Sequence, residues 1–146
     1  MTQTYKIAVL AGDGIGPEIT EQALRVLKLI EQKRDVSFDC IDAPFGASAY
    51  FSHGKSFPEE TQALCDSADA ILKGPIGLSH EESEKIPVEE RPERGALLPM
   101  RRRLNTYANF RPISLPAGMA HFSPLKKEVV GDGIDIMLGR ALIGGL

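Results

Sequence analysis

The chain has 146 residues, of which 42% are hydrophobic and 25% are charged, an ordinary globular composition that excludes a wholly disordered chain. Its 17 Lys and Arg residues are outnumbered by 20 Asp and Glu residues, which argues against a nucleic-acid binder that works by a general positive field. No apolar run approaches the roughly 18 residues of a membrane span, and the polar start has no signal-peptide pattern. We therefore expect a cytoplasmic protein, with neither nucleic acid nor membrane as partner, in which both cysteines stay free thiols.

Predicted strands and helices alternate from the start of the chain. A buried strand at Lys6–Ala11 leads through a glycine-rich turn into a helix, and further elements follow as a strand at 36–40, a helix at 56–68 and a strand at 70–72. The helix carries one apolar stripe, formed by Ile19, Ala23, Val26, Leu27 and Ile30. The alternation predicts βαβ units and an α/β fold with a mostly parallel sheet.

The second half of the chain changes character. The Glu-rich residues 78–94 are expected to form a solvated surface loop, and a loop this long is more often functional or mobile than a mere connection. A helix at 97–104, a strand at 107–113, an irregular stretch at 114–127 and a strand at 134–138 complete the prediction. The chain then stops after a Gly-Gly turn, without the polar segment that usually ends a domain, so we expect it to be truncated.

The turn Gly12-Asp13-Gly14-Ile15-Gly16 follows a strand and opens a helix, as a dinucleotide-binding loop does. Its G-x-G-x-G spacing differs from the G-x-G-x-x-G fingerprint. Two interpretations are equally supported: a tight turn that requires positive φ, and the close approach of a ligand at the carboxyl end of a strand.

The arginines indicate the class of ligand more clearly than the glycine-rich turn does. Arg102 and Arg103 are expected to be solvated, whereas Arg111 lies among strand residues, where a charge is unfavourable unless it is paired. Because the guanidinium fork matches a carboxylate in two parallel hydrogen bonds, Arg101, Arg111 and Arg140 together predict a small di- or tricarboxylate ligand. Leu97 shares the helical face of Arg101 and would place an apolar contact beside it.

The histidines and Cys40 show no pattern typical of a metal site or a catalytic site. The three histidines, at positions 53, 80 and 121, have no metal-ligand spacing and are expected on the surface. Cys40 shares the apolar face of its strand with Val36 and Phe38 and is expected in the core.

Several ordered segments carry a resemblance to a known family. They are residues 7–18 (IAVLAGDGIGPE), 91–101 (RPERGALLPMR), 107–112 (YANFRP), 123–126 (SPLK), and Arg140 with Ile143-Gly144-Gly145. Together they resemble the 3-isopropylmalate dehydrogenases, of the β-decarboxylating hydroxyacid dehydrogenase family. The resemblance spans essentially the whole chain but only about the first two-fifths of a family member.

The resemblance implies a truncated three-layer αβα fold, with residues 1–106 in the first α/β domain and residues 107–146 beginning a second, dimerisation domain. It also implies NAD-dependent oxidation and decarboxylation of 3-isopropylmalate by a homodimer. The implied substrate residues are Arg101, Arg111 and Arg140 for the carboxylates, and Leu97 and Leu98 for the isopropyl group. The implied cofactor residues are Gly14, Ile15, Gly74, Pro75, Ile76, Gly77 and Glu93.

The resemblance places the catalytic tyrosine and lysine, and the aspartates that hold Mg²⁺ or Mn²⁺, beyond Leu146. Gly139 and Ala141 depart from the family pattern, which has an apolar residue and a glutamate there. Leu97 and Leu98 stand where a site for isocitrate would offer a polar donor, so an apolar substituent is favoured. A tartrate- or isocitrate-type dehydrogenase and a non-catalytic anion-binding α/β fragment are the alternatives.

Overall fold

The computed structural model describes residues 2–142, so the Ile143-Gly144-Gly145 part of the last motif lies outside the described residues. The described chain divides after Leu104 into two compact units. The first unit contains a three-stranded sheet and the second a two-stranded sheet. In the described part, no helix is long and apolar enough to cross a membrane.

The sheet of the first unit is entirely parallel, as predicted. Strand β1 (Gln3–Leu10) lies in the centre, between β2 (Val36–Asp42) and β3 (Ala70–Lys73). The last four residues of β1 are buried, in agreement with the predicted apolar strand. All three predicted strands of this unit are confirmed, although β1 begins before Lys6.

Helix α1 (Gly16–Lys33) covers one face of this sheet, and the predicted apolar stripe marks its inner side only in part, through Ala23 and Leu27. Ile19 and Val26 are 46% and 55% exposed, and Ile30 is exposed as well. Thr20, Leu24 and Glu31 lie on the inner side beside Leu27, and Leu24 and Leu27 line one pocket with Phe38 and Cys40 of β2. The prediction holds only in part, because α1 carries apolar residues on more than one side.

Two helices follow β2. Helix α2 (Ala47–His53) was not predicted, and α3 (Glu59–Ser67) confirms the predicted helix with a start three residues later. The shift arises because Phe57 and Pro58 are buried in extended backbone ahead of the helix. Leu64 packs against the buried cluster of this unit, as expected.

The Glu-rich segment is not the plain loop that its composition predicted. It contains α4 (His80–Ser83), a 3-10 turn at Val88–Glu90 and a π-helical turn at Pro92–Leu97, which runs into α5 (Leu98–Arg103). A capping box between Ser79 and Glu82 starts α4. Glu90 accepts a hydrogen bond from the Ser56 N–H at 2.9 Å, and Ser56 Oγ donates to the Glu90 carbonyl. These bonds attach the segment to the chain ahead of α3.

The opposite face of the sheet is covered by a buried cluster. Its members are Ala8, Leu10, Phe45, Phe57, Cys65, Ala96 and Met100. Because Ala8 and Leu10 alternate along β1 with the residues that face α1, the sheet lies between two helical layers. The predicted three-layer αβα arrangement is therefore observed.

Cys40 contradicts its predicted place in the core. It lies on an exposed part of β2, while Cys65 is buried in α3, and both are free thiols. β2 is an edge strand in the described sheet, so α1 covers its apolar face only in part. Partial burial, followed by the nearby Glu31 carboxylate, raises the pKa of the Cys40 thiol.

The second unit is built on one antiparallel pair, β4 (Ala108–Pro116) and β5 (Gly133–Ala141). Both strands run longer than predicted. The stretch between them, expected to be irregular, contains a 3-10 segment at Ala117–Phe122 and α6 (Lys127–Val130). Most of its large apolar side chains are exposed, including Phe110, Ile113, Ile136, Met137 and Leu138.

An ion pair joins α5 to α3. Arg103, expected to be merely solvated, donates from Nε to Asp66 Oδ1 at 2.7 Å and from Nη2 to Asp66 Oδ2 at 2.5 Å. Its Nη1 donates to Gln62 Oε1 at 3.0 Å. The Arg103 hydrogen bonds hold the pKa of the Asp66 carboxyl below its usual range.

The loops after β1 and β3 pack without space for side chains. Gly12 has φ +80°, and a Cβ there would lie 2.0 Å from the Pro75 carbonyl oxygen. Gly14 has φ +57°, but no atom lies within 4 Å of its Cβ position. The glycine motif therefore contains one residue required by packing and one required only by its backbone angle.

The Asp66–Arg103 pair predicts a pH-dependent contribution to stability. Because the folded-state pKa of Asp66 is lowered, its contribution is present above the unfolded pKa of about 3.9 and is lost as the pH falls through the folded value. Asp66→Asn should lower the melting temperature near neutral pH, and its curve should converge with that of the parent in acid. Asp39→Asn is the control, since the exposed Asp39 makes no side-chain hydrogen bond or ion pair within residues 2–142. A constant difference at every pH would contradict this account.

The two glycines of the first loop predict different costs of substitution. Gly14→Ala should cost about 1–2 kcal/mol of unfolding free energy, the strain of a left-handed backbone. Gly12→Ala should cost about 3 kcal/mol or more, because the same strain adds to a clash with backbone that must move. Urea unfolding of the two variants measures both values, and equal losses would show that the contact between the loops is not tight.

Candidate functional site

Two loops meet at the carboxyl edge of the parallel sheet in the first unit. The loop after β1 donates from Asp13 N to the Pro75 carbonyl at 2.9 Å, and Gly74 N donates to the Leu10 carbonyl at 2.8 Å. Open α/β sheets bind ligands at this edge. The structure therefore brings together the two loops that contain residues 14–15 and 74–77, to which the family resemblance assigns a cofactor.

The side chain of Asp13 joins these loops to α2. It is 4% exposed and accepts three backbone hydrogen bonds: from Ala47 N and Gly77 N to Oδ2, both at 3.0 Å, and from Ser48 N to Oδ1 at 2.8 Å. A buried carboxylate requires such charge-assisted partners. Sequence reasoning did not find this role, because the donors lie 34, 35 and 64 residues away.

The candidate cofactor residues differ in what they present to solvent. Gly14 and Ile15 form an exposed tip, with Ile15 60% exposed, and Pro75 is exposed beside them in the neighbouring loop. Gly74 is buried against the Ala11 carbonyl, and Ile76 packs against the buried cluster. A ligand at this edge therefore meets the exposed tip and Pro75 first, while Gly74 is buried and Ile76 is half-buried.

Glu93 lies at the same edge. Its Oε1 is 3.7 Å from the position that a Cβ on Gly77 would occupy, and Gly77 has φ +129°. Glu93 itself is exposed. The π-helical turn that begins at Pro92 thus places a carboxylate next to the backbone of loop 74–77.

Cations lie beside these carboxylates. Lys73, at the end of β3, donates from Nζ to the Gly74 carbonyl at 2.6 Å. Partial burial of the ammonium and, second, the nearby Arg101 guanidinium lower the pKa of Lys73, while Asp13 acts in the opposite direction. Arg101 is half-buried on α5. The structure therefore gathers Lys73 and Arg101 near Asp13, and sequence reasoning missed Lys73 because a lone lysine at a strand end resembles a surface charge.

The two candidate leucines precede Arg101 by about one helical turn. Leu97 is half-buried and packs against the buried cluster, whereas Leu98 is 44% exposed. Leu98 therefore has the larger apolar surface available to a ligand.

The second unit places two candidate arginines on one face of its strand pair. Asn109 is directly opposite Arg140, and Arg111 is opposite Leu138. Residues two apart on a strand share a face, so Arg111 and Arg140 are diagonal neighbours, typically about 7–8 Å apart at the backbone. Neither guanidinium forms an ion pair with a residue in the range 2–142.

The reasoning that led to Arg111 was wrong in one respect. The strand context suggested a buried charge, but Arg111 and Arg140 are both exposed. Leu138 and Ile136, which lie on the same face of the strand pair, are exposed as well. A surface position needs no internal partner, so both arginines are available to an anion.

Other candidate groups remain without a site. The three histidines are exposed, as predicted. Within residues 2–142 no group of three or more His, Cys, Asp or Glu side chains is arranged to hold a metal ion.

The sequence matches relatives along its whole length. Residues 6–146 match the family model of isocitrate/isopropylmalate dehydrogenase. The chain is 42% identical to 3-isopropylmalate dehydrogenase of Campylobacter jejuni over 99% of its own length and 40% of that protein. It is 45% identical to 3-isopropylmalate dehydrogenase of Geobacter sulfurreducens over 100% of its length and 40% of that protein. The chain thus spans about 40% of the curated relatives that it matches.

Solved structures show the same fold. A β-decarboxylating dehydrogenase from Thermococcus kodakarensis, in its apo form, superposes with a TM-score of 0.63 at 27% identity, covering 97% of this chain and 35% of that one. An isocitrate dehydrogenase from Methylococcus capsulatus gives a TM-score of 0.65 at 25% identity, covering 94% and 34%. With its parallel sheet and ordered motifs, the chain belongs to the isocitrate/isopropylmalate dehydrogenase family.

Proposed function

We propose that this chain supplies the carboxylate-binding and cofactor-edge residues of an NAD-dependent 3-isopropylmalate dehydrogenase. The reaction oxidises the substrate hydroxyl and releases CO₂, giving 4-methyl-2-oxopentanoate in leucine biosynthesis. The observation that carries the proposal is the pair Arg111 and Arg140, exposed on one face of the strand pair without an ion-pair partner in the described chain. The names of the relatives at 42–45% identity support the choice of substrate.

Two adjacent guanidinium groups repel each other unless an anion lies between them. A carboxylate can accept two parallel hydrogen bonds from each guanidinium, so a dicarboxylate is a suitable ligand for several arginines. In this proposal the residues that bind substrate carboxylate are Arg111, Arg140 and Arg101. Residues 1–106 would belong to the first domain and residues 107–146 would begin the dimerisation domain of a homodimer.

The leucines support an apolar substituent on the substrate. Leu98 is exposed beside Arg101, and Leu97 lies next to it against the core. Burying one apolar side chain contributes about 1.5–3 kcal/mol, whereas a third carboxylate placed here would lose hydration without gaining a donor. The site therefore favours 3-isopropylmalate over isocitrate, and it disfavours tartrate less strongly.

The cofactor edge suits NAD. The Gly14–Ile15 tip is exposed and Gly14 has open space around it, so a flat ring can approach the backbone closely. Glu93 lies beside Gly77 and offers a hydrogen-bond acceptor at the same edge. Gly74, Pro75, Ile76 and Gly77 would contribute mainly their backbone. When bound, NAD accepts the hydride that leaves the substrate carbon.

The described residues do not fit a divalent metal, because they contain no cluster of ligands for one. The family resemblance assigns Mg²⁺ or Mn²⁺, together with the catalytic tyrosine and lysine, to residues other than these. The proposed setting is the cytoplasm, where Cys40 and Cys65 stay reduced.

Fusing residues 1–146 to the segment of the Geobacter sulfurreducens relative that follows its matched region tests the proposal. The fusion should form NADH from 3-isopropylmalate with Mg²⁺, at a higher kcat/KM than from isocitrate or tartrate. The 146-residue chain alone should show no turnover, because the residues assigned to proton transfer are absent from it. A higher kcat/KM with isocitrate or tartrate would overturn the substrate assignment, and binding without turnover in the fusion would favour the anion-binding alternative.

The same fusion carries the matched arginine variants. Arg111→Lys should lower kcat/KM for 3-isopropylmalate by at least about thirtyfold, since an ammonium cannot reproduce two parallel donors. Arg102→Lys is the control, because Arg102 is exposed and has no ion-pair partner within residues 2–142. Equal kcat/KM values for the two variants would show that Arg111 does not bind substrate carboxylate.

A further inference from the structure

The function proposed above does not account for the one buried carboxylate at the cofactor edge. Asp13 is the only residue of the Gly12–Gly16 turn whose side chain is both charged and buried. Its three donors come from two segments that are remote in sequence, loop 74–77 and the start of α2. A tight turn alone needs glycines and does not need a carboxylate in this place.

We propose that Asp13 is the positioning residue of the cofactor edge, coupling the backbone of Gly77 to the first residues of α2. Its Oδ2 accepts from Gly77 N and from Ala47 N at the same distance of 3.0 Å, so one oxygen atom joins the two segments. This inference rests on the proposed function, because Gly77 is assigned to the cofactor there. Asp13 acts through Gly77 and does not itself touch the ligand.

The arrangement requires a carboxylate. All three groups that face Asp13 are N–H donors, and only an ionised carboxyl offers two oxygens without a hydrogen of its own. An asparagine would place an NH₂ group against at least one of these donors. The carboxylate also packs closely against the backbone at Gly46, where an added Cβ would lie 2.6 Å from Asp13 Oδ2.

Ser48, at the start of α2, makes a second connection to the loop after β1. Ser48 donates from its backbone N–H to Asp13 Oδ1 at 2.8 Å, and its Oγ donates to the Gly12 carbonyl at 3.3 Å. The start of α2 therefore holds the loop after β1 through both residues 12 and 13. Movement of Gly77 toward a ligand changes the bond at Oδ2 and is transmitted to Ala47 and Ser48.

Gly77 is the point at which this coupling reaches the candidate ligand. Its N–H is held by Asp13, and its Cα lies beside the Glu93 carboxylate. Turning the Gly77 peptide would change the distance between the loop backbone and Glu93.

The experiment is an NAD⁺ titration of the ¹⁵N-labelled 146-residue chain, followed by the amide resonances. In the parent, NAD⁺ should shift the amides of Gly14, Ile15 and Gly77, and the amides of Ala47 and Ser48 should shift along the same binding curve.

Asp13→Asn should weaken NAD⁺ binding by at least about tenfold, the loss expected when a buried charge-assisted bond is broken. It should also shift the Gly77 amide before any ligand is added. Asp42→Asn, at an exposed carboxylate without a hydrogen bond in the described chain, should leave the affinity unchanged.

The outcomes separate the two claims. Equal affinity of Asp13→Asn and parent would overturn the positioning role while leaving the cofactor site intact. If Asp13→Asn does not fold, the titration of the parent chain still tests the coupling. An NAD⁺-induced shift of the Gly77 amide without a matching shift of the Ala47 and Ser48 amides would overturn it. Absence of any NAD⁺-induced shift at Gly14, Ile15 and Gly77 would defeat the proposed cofactor site and the coupling with it.

Discussion

Burying the Asp13 carboxylate would be unfavourable without its three backbone donors, and the need to supply them determines the local chain path. The donors must come from loop 74–77 and from the start of α2, so both segments have to converge on the end of β1. That convergence leaves no space for a side chain at Gly12 or Gly46. Gly12, Gly46 and the start of the short helix α2 thus belong to one arrangement around this carboxylate.

The charges of the candidate site follow a consistent physical pattern. Arg103 is an exposed arginine with a carboxylate partner inside the unit, and it serves to hold α5 to α3. Arg111 and Arg140 lack such a partner in the described chain and lie on one face of a strand pair. Pairing therefore identifies Arg103 as a structural arginine, which sequence position alone could not do.

Much of the fold was predictable because its signals are local. The apolar run ending β1 and the strand at β3 are confirmed, since a strand buried on both faces is nearly continuous in hydrophobicity. The inner side of α1 was predicted only in part, because apolar residues on neighbouring sides of the helix, Leu24 and Ile19 among them, fit a helical stripe through Leu27 equally well. Helix α2 was missed because its start is fixed by a carboxylate 34 residues earlier in the chain.

The candidate site likewise has features that the local sequence predicts and features that depend on the folded chain. Glycines, arginines and leucines could be selected from residue type and spacing, and the strand register then placed Arg111 and Arg140 on one face. The exposure of Arg111 could not be predicted, because it depends on what covers β4. The function of Asp13 depends on hydrogen bonds to residues that only the folded chain brings near.

Amide hydrogen exchange in the ligand-free 146-residue chain tests the central claim most directly. The Gly77 N–H should exchange far more slowly than the Gly14 N–H of the same edge, because Gly77 donates to the buried Asp13 carboxylate whereas Gly14 has no acceptor within residues 2–142. Slow exchange at Gly77, lost in Asp13→Asn, is the result this account predicts. Equally fast exchange of Gly77 and Gly14 in the folded parent would contradict it.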